Sequence, residues 1–597
     1  MCGIIAYIGH KKASEVLLKG IKALEYRGYD SVGIATIEGN AISVKKDVGK
    51  VDAANAKLDF LTLEGNMGIA HTRWSTHGGV TKENAHPHLD CSGTIAVVHN
   101  GIVENYQQIH NDLNSNDKIH KFKSETDTEV IVHLIEHFMI REKMDFATAV
   151  RTTANRINGR SAFVAIHSGT RQLVAARKGA PLIVGVHENS SDEFFIASDV
   201  TAFLEHTNKV MYLDDNEMVV IDGKNASFLS LETGSALKKR IVDIHWHTQA
   251  TGKDGYDHFL IKEIMEQKHT IAAAVNQDDA KIQAVADAIK NAYGTFFVGC
   301  GTAGKVCMAG EYLFSKIAGK HVNSVVASEF GNYQDYLTPK TLMVAVSQSG
   351  ETADVLDAIE TAKSKDVKII SLLNVFGSTM MRVSDDFFMV NAGAEKAVVS
   401  TKATTAQLAV LTLLAYAAAG KLQEGKLLLL STASAVNDML NPRYEQHIRA
   451  LAERLQDKRD VFILGRGVNF PMALEAAIKL QETCYIHAQG FAAGELKHGP
   501  LALIEAGTPC IVLVANDSTK QDILSNAMEV KARGGWIIGI SPDNHNVFDY
   551  WVKVPDAANA SPIVNIIPIQ ILAYHLAVLR DCDPDYPRNL AKSVTVK

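Results

Sequence analysis

The chain has 597 residues, and its 60 Lys and Arg against 67 Asp and Glu leave a net charge of −7. That length predicts about three to four domains rather than a single core, and a mildly acidic balance without runs of like charge disfavours nucleic acid and anionic membranes as partners. Seven cysteines, at 2, 91, 300, 307, 484, 510 and 582 and with no C-x-x-C pair, argue against a disulfide scaffold and a structural zinc site. Most of them are expected to be buried as small apolar side chains, and no metal is expected.

The sequence opens MCGIIAYIGH. Removal of Met1 would make Cys2 the first residue, and an α-amine with a pKa of about 8 could take the thiol's proton. The alternative is a cysteine that begins a strand and packs inward. Over residues 1–237 the runs GIIAYIG, VGIATI, GTIAVVHNGI, SAFVAIH, EFFIASD and MVVIDG, separated by Gly, Asn and Asp, predict antiparallel sheets. Helices are predicted at KKASEVLLKGIKALEYRG and TDTEVIVHLIEHFMI. Histidines gather in HTRWSTHGG, NAHPHLD and VVHNG, but their irregular spacing fits no metal-ligand motif.

Residues 238–256, KKRIVDIHWHTQATGKDGY, follow neither period and are read as a linker. Beyond it, buried strands alternate with long helices, and the pattern repeats. TFFVGCGTAGKVCMAGEYLFSKI matches DVFILGRGVNFPMALEAAIKLQE, and the stretch around LMVAVSQSGETAD matches that around PCIVLVANDSTKQD. Two doubly wound α/β domains are therefore predicted over 257–430 and 431–580. The longest apolar stretch is read as LAVLTLLAYAAAG, ending at Gly420 and too short for a bilayer. No leader is recognised before the first strand, so a cytoplasmic protein is expected. Residues 581–597, with two prolines, are read as a polar tail of the kind that frays.

Three stretches suggest chemistry. SQSGETAD places Ser347, Gln348, Ser349, Gly350 and Thr352 in a strand-to-helix turn, where amides and hydroxyls suit a phosphate; ordinary N-capping is the alternative. GCGTAG has the same form, but no dinucleotide or Walker pattern accompanies it. Lys479 and Glu482 share a helix face, as a surface ion pair would, yet LKHGP with His498 lies just beyond, and acid, base and imidazole together suit proton transfer on a sugar phosphate.

MCGI, YRGYDSVG, GIAHTRWSTHG, NAHPH, VVHNGIVENY and SETDTEV, in that order, resemble the glutamine amidotransferase domain of the N-terminal-nucleophile class. SQSGETADV, STKA, LKHGPLALIE and PRNLAKSVTV resemble the paired sugar-isomerase domains of the glutamine–fructose-6-phosphate aminotransferase family. The resemblance implies a multidomain chain. An N-terminal-nucleophile amidotransferase with stacked antiparallel sheets between helices would precede two doubly wound α/β sugar-isomerase domains.

It further implies amination and isomerisation of fructose 6-phosphate by glutamine, opening hexosamine synthesis, without a metal or organic cofactor. Cys2 would attack glutamine, with Asn100 and Gly101 as oxyanion hole, Arg73 and Asp127 holding the substrate's carboxylate and ammonium, and Trp74 gating an ammonia channel. Thr302, Ser347, Gln348, Ser349, Thr352, Val398 and Ser400 would bind the sugar phosphate. Lys592 would form the Schiff base, so the tail would contribute to the sugar site. Glu482 would move a proton between C1 and C2, assisted by Lys479 and by His498 from a neighbouring subunit, which implies a homodimer or higher oligomer. The chain departs from the family pattern at Ala303, where a serine is usual, in GKV, in ASEFGNY and in STKATTAQL.

Overall fold

In the first strand, Gly3–Ile8, every side chain is buried, because the two faces of the strand meet different cores. Ile4, Ala6 and Ile8 point into an inter-sheet core, while Ile5 and Tyr7 pack with Leu17 and Ile21 of helix Ala13–Ala23. This is the two-residue alternation of a strand covered on both sides. Strand Ile95–Gly101 repeats it in the second sheet: Ala96 and Val98 face the inter-sheet core, and Ile95 and Val97 face helices Glu129–Arg141 and Phe146–Arg156. Two antiparallel sheets, of eight and seven strands, thus stack between helical layers.

The structure is a computed structural model that describes residues 2–115, 120–187, 190–244 and 252–595. Its contacts divide the chain into two units, one of residues 1–248 with 593–597, the other of residues 249–592. Met1, the centre of the expected linker at 245–251 and residues 596–597 at the end of the expected tail lie outside the described residues. The linker's first part is not structureless: Val242–Asp243 pairs with Lys209–Tyr212, and Ile244 is buried beside them.

The second unit holds two parallel five-stranded sheets with one topology. In the first, Gly294–Gly299 lies between Asn323–Val326 and Thr341–Ser347, followed by Lys368–Leu373 and Asp386–Met389. In the second, Asp460–Gly465 lies between His487–Ala492 and Pro509–Leu513, followed by Trp536–Ser541 and Tyr550–Lys553. Both have the order 2-1-3-4-5, so the repeat read from the sequence is a repeat of fold.

One core runs through both copies and includes helix Ser561–Leu579. This helix corrects the membrane reading, for it is longer than the stretch ending at Gly420, and by length and composition it could cross a bilayer. It is a core helix instead: Asn565 bonds Asn469, and Gln570 accepts from Gln267 at 2.7 Å. The cysteine expectation holds in part. Cys307, Cys484 and Cys510 are buried, Cys2, Cys300 and Cys582 are half-buried, and Cys91 is exposed.

Candidate functional site

The first unit brings its predicted residues together by strand pairing. Cys2 precedes Gly3–Ile8, which pairs antiparallel with Met67–Arg73, so the thiol lies beside the chain just after Arg73. The Trp74 N–H donates to Cys2 Sγ at 3.4 Å, and the thiol faces the Trp74 carbonyl at 3.6 Å. From the other sheet, Asn100 Nδ2 donates to the Cys2 carbonyl at 3.0 Å. Asn100 is itself oriented by His71, whose Nε2 lies 2.9 Å from the His99 carbonyl and 3.1 Å from Asn100 Oδ1. Both are acceptors, so this nitrogen carries the proton. Burial holds the His71 pKa down to about 3, so the ring is neutral at working pH.

Gly101 has φ of +123°, and a Cβ there would sit 2.1 Å from the Arg160 carbonyl. Only glycine fits that approach. Asp127 lies just ahead of helix Glu129–Arg141, and its Oδ2 accepts from the Val103 N–H at 2.7 Å. The Arg73 guanidinium donates to the carbonyls of His77, Gly78 and Gly79. A carboxylate ligand would have to exchange for these. Burial lowers the pKa of the Arg73 side chain, and the charges of Cys2, Asp127 and Asp30 oppose that, which places all four in one electrostatic neighbourhood. Burial also pushes the Cys2 thiol up, so attack on an amide needs a base.

In the second unit the SQSGETAD turn stands where the sheet order reverses, since Gly294–Gly299 and Thr341–Ser347 are adjacent strands leading into different helices. Ser347 Oγ contacts Thr352 Oγ1 at 3.2 Å and accepts from the Gly350 N–H at 3.0 Å. Ser349 Oγ accepts from the Glu351 N–H, and the Gln348 carbonyl accepts from the Asn374 N–H. Thr352 holds the N-cap position of Ala353–Lys363 but makes no side-chain cap bond. Ordinary N-capping is therefore not what this hydroxyl does. Gly350 has φ of +66°, and a Cβ there would meet Ser378 Oγ at 2.2 Å, so the turn is confined to glycine. In the second copy the same turn places the Asp517 carboxylate under Thr519, a charge unsuited to phosphate.

Lys479 and Glu482 are not a surface pair. Lys479 is 1% exposed and bonds Glu482 at 2.9 Å, and it lies 3.2 Å from the fully buried Glu475. Thr302, expected on the phosphate, has its hydroxyl on this cluster instead, donating to Glu475 at 3.1 Å and accepting from Lys479 at 3.2 Å. Burial raises the Glu475 carboxyl to about 7, with Lys479 opposing and Glu482 reinforcing the rise. Burial alone would lower Lys479, but the two acids hold it above the usual lysine value.

Lys592 lies in a second buried cluster, against the fraying expected of the tail. Its side chain is 4% exposed and donates to Glu395 at 2.6 Å. Glu395 also accepts from Ser400 Oγ at 3.1 Å and from the N–H groups of Thr401 and Ala403, which begin helix Lys402–Ala418. Burial would raise this carboxyl, but Lys592 and those donors hold it below the usual range. Glu263, beside them, is raised to about 8 by burial, with Lys592 opposing and Glu395 adding to the rise. The Val398 N–H is taken by the Asp585 carbonyl. His498 stands apart, exposed at the end of the turn Ala493–His498.

A family model described as a glutamine amidotransferase domain matches residues 71–205, and one described as the SIS domain matches twice, over 288–417 and 454–580. The glutamine–fructose-6-phosphate aminotransferase (isomerizing) of Thermococcus kodakarensis is 44% identical over 610 residues, covering 100% of both chains. The chain belongs to the glutamine–fructose-6-phosphate aminotransferase family. The relative of the same name from Methanothermobacter thermautotrophicus is 43% identical over 607 residues, again covering 100% of both chains. The solved C-terminal domain of the glucosamine-fructose-6-phosphate aminotransferase of Francisella tularensis is 33% identical, with a TM-score of 0.53, covering 56% of this chain and 100% of that one.

Within this aminotransferase frame, the sequence reading missed His71, Glu263, Glu395 and Glu475. Glu475 was legible, since 475, 479 and 482 follow the i, i+4, i+7 spacing of one helix face. The others meet their partners only through tertiary packing. Glu475 also has a measurable consequence. An unfolded glutamate titrates near 4.5 and this one near 7, so its stabilisation is complete below pH 4.5 and is lost as pH rises through 7. That loss is on the order of 3 kcal/mol. Glu475→Gln is expected to flatten the fall of the thermal midpoint between pH 5 and pH 8 in differential scanning fluorimetry. Parallel profiles for variant and parent would contradict the assignment.

Proposed function

We propose that the chain transfers the amide nitrogen of L-glutamine to D-fructose 6-phosphate, yielding D-glucosamine 6-phosphate and glutamate. The observation that carries the reading is the union, in one chain, of a Cys2 whose thiol is held by Trp74 and whose carbonyl is held by Asn100 with a sugar-isomerase unit whose Lys592 is paired to a buried carboxylate.

After loss of Met1 the freed amine takes the Cys2 proton, and sulfur attacks the amide carbon of glutamine. Asn100 and the Gly101 N–H receive the oxyanion, while Arg73 and Asp127 hold the carboxylate and ammonium of the substrate. Ammonia leaves, and water hydrolyses the thioester to glutamate. Trp74, whose backbone brackets the thiol, gates the passage of ammonia.

In the sugar unit the phosphate sits on Ser347, Gln348, Ser349 and Thr352. Thr302, Val398 and Ser400 line the same site through the clusters they brace. Lys592 gives up its proton to solvent and its amine attacks the C2 ketone; loss of water gives the lysine imine. Ammonia displaces the lysine, and Glu482 takes a proton from C1 and returns it to C2, turning the imine of a ketose into the amine of an aldose. Lys479 assists, and the exposed His498 is supplied to this site by a second copy of the chain, so the working form is at least a homodimer. We read the domain limits as 1–237, 257–430 and 431–580, supported by the matched spans, with the linker at 238–256 and the tail at 581–597. We place the protein in the cytoplasm, the one membrane-length helix among the described residues being a core helix.

The test supplies glutamine with and without fructose 6-phosphate and quantifies glutamate and glucosamine 6-phosphate. Equal amounts of the two products, with sugar accelerating glutamine cleavage, are expected. Glutamate without amino sugar would overturn the assignment of the second unit.

A further inference from the structure

Away from Cys2, four potential metal ligands converge in the first unit. Cys91, His120, His133 and Glu136 each offer a donor atom, and these atoms all lie within 4.8 Å of one another. His120, His133 and Glu136 are buried, while Cys91 is exposed and gives the cluster access to solvent. His133 and Glu136 lie three apart on helix Glu129–Arg141 and so share a face. Cys91 follows strand His88–Leu89, its N–H donates to Glu136 Oε1 at 3.1 Å, and its sulfur lies 3.8 Å from His133 Nδ1. Glu136 Oε2 lies 2.7 Å from His120 Nδ1 and 2.9 Å from His133 Nδ1.

Ligand atoms around a tetrahedral zinc, with bonds of about 2.0 to 2.3 Å, stand roughly 3.3 to 3.8 Å apart. The sulfur–nitrogen separation already meets this, and the oxygen–nitrogen ones need open by only about half an ångström. A carboxylate also lies near on the outer side, beyond hydrogen-bond distance. His133 Nε2, the ring nitrogen away from the cluster, lies 3.7 Å from Glu129 Oε1, and Glu129 is fixed by the Lys123 and Ser124 N–H groups. A carboxylate behind a ligating imidazole is the usual support of such a ligand.

We propose that Cys91, His120, His133 and Glu136 bind one divalent cation of the zinc class. One thiolate, two imidazoles and a carboxylate form a borderline donor set that suits zinc or cobalt rather than magnesium or calcium. Binding takes Cys91 as thiolate and releases its proton to solvent. No motif spacing announces the site, because its ligands come from three separated segments. The ion ties the turn after His88–Leu89 to the helix that begins just after Asp127, so it braces the segment that carries Asp127 without touching substrate.

The test uses the full-length protein, stripped with a chelator and titrated with Co(II). One equivalent is expected to bind with a thiolate-to-cobalt charge-transfer band and to raise the thermal midpoint. In Cys91→Ser, an exposed and conservative change, the band is lost and affinity falls about 100-fold or more. A band that survives in Cys91→Ser places the ion on another cysteine and overturns the proposal, as does the absence of stoichiometric binding, which would leave the cluster as a hydrogen-bonded His–Glu–His network.

Discussion

Lys592→Ala is expected to lower glucosamine 6-phosphate formation by at least about a thousandfold, a barrier increase of roughly 4 kcal/mol, while sugar-independent release of glutamate continues. Lys592 is paired with the buried Glu395 carboxylate at 2.6 Å. Lys479, by contrast, is held between two acids and a threonine hydroxyl. Fewer contacts have to be broken to free the Lys592 amine than to free that of Lys479. Removing the lysine also leaves Glu395 and Glu263 facing each other in a buried site, so some loss of stability is expected. Lys592→Arg separates the two effects, since arginine keeps the charge and cannot form an imine. Its amination should fall as far as that of the alanine variant while its thermal midpoint stays near the parent's. Substantial synthesis by Lys592→Arg would remove the Schiff base from the account.

Cys2→Ala is expected to reduce glutamate release by about a thousandfold or more, because loss of a nucleophile leaves only binding and oxyanion stabilisation. The thiol contacts the backbone N–H and carbonyl of Trp74, neither of which is a base, and burial pushes its pKa up. The freed α-amine is therefore expected to act as the base, and intact-mass analysis of active protein should show Met1 absent. An electrophilic glutamine analogue should label Cys2 in the parent and nothing in the variant. Full activity in protein that retains Met1 would contradict the mechanism.

The doubled fold was legible because strands of a parallel sheet buried on both faces read as continuous apolar runs, each followed by a glycine turn. Glycine turns at Gly301 and Gly467, both with positive φ, stand at equivalent points of the two copies. The alternation around Cys2 was likewise readable, since Ile4 and Ile5 serve different cores. Helix Ser561–Leu579 escaped because Asn565, Pro568, Gln570 and His575 interrupt its apolar run. The Asn565 amide finds a partner in Asn469 and the Gln570 side-chain carbonyl one in Gln267.

The tail misled for a related reason. Composition marks it as polar, but whether a lysine is solvated or buried depends on a carboxylate 197 residues earlier in the chain. The Cys91 cluster is illegible in the same way, its ligands lying in separate segments that only the fold brings together. Sequence read well what local periodicity encodes and missed what long-range charge pairing decides.

The central claim is that the nitrogen leaving Cys2 is the nitrogen that arrives at the sugar. Glutamine labelled with ¹⁵N in the amide, supplied with fructose 6-phosphate in the presence of excess unlabelled ammonium, tests it directly. The account predicts amino sugar carrying almost entirely ¹⁵N; product labelled in proportion to free ammonium would contradict it.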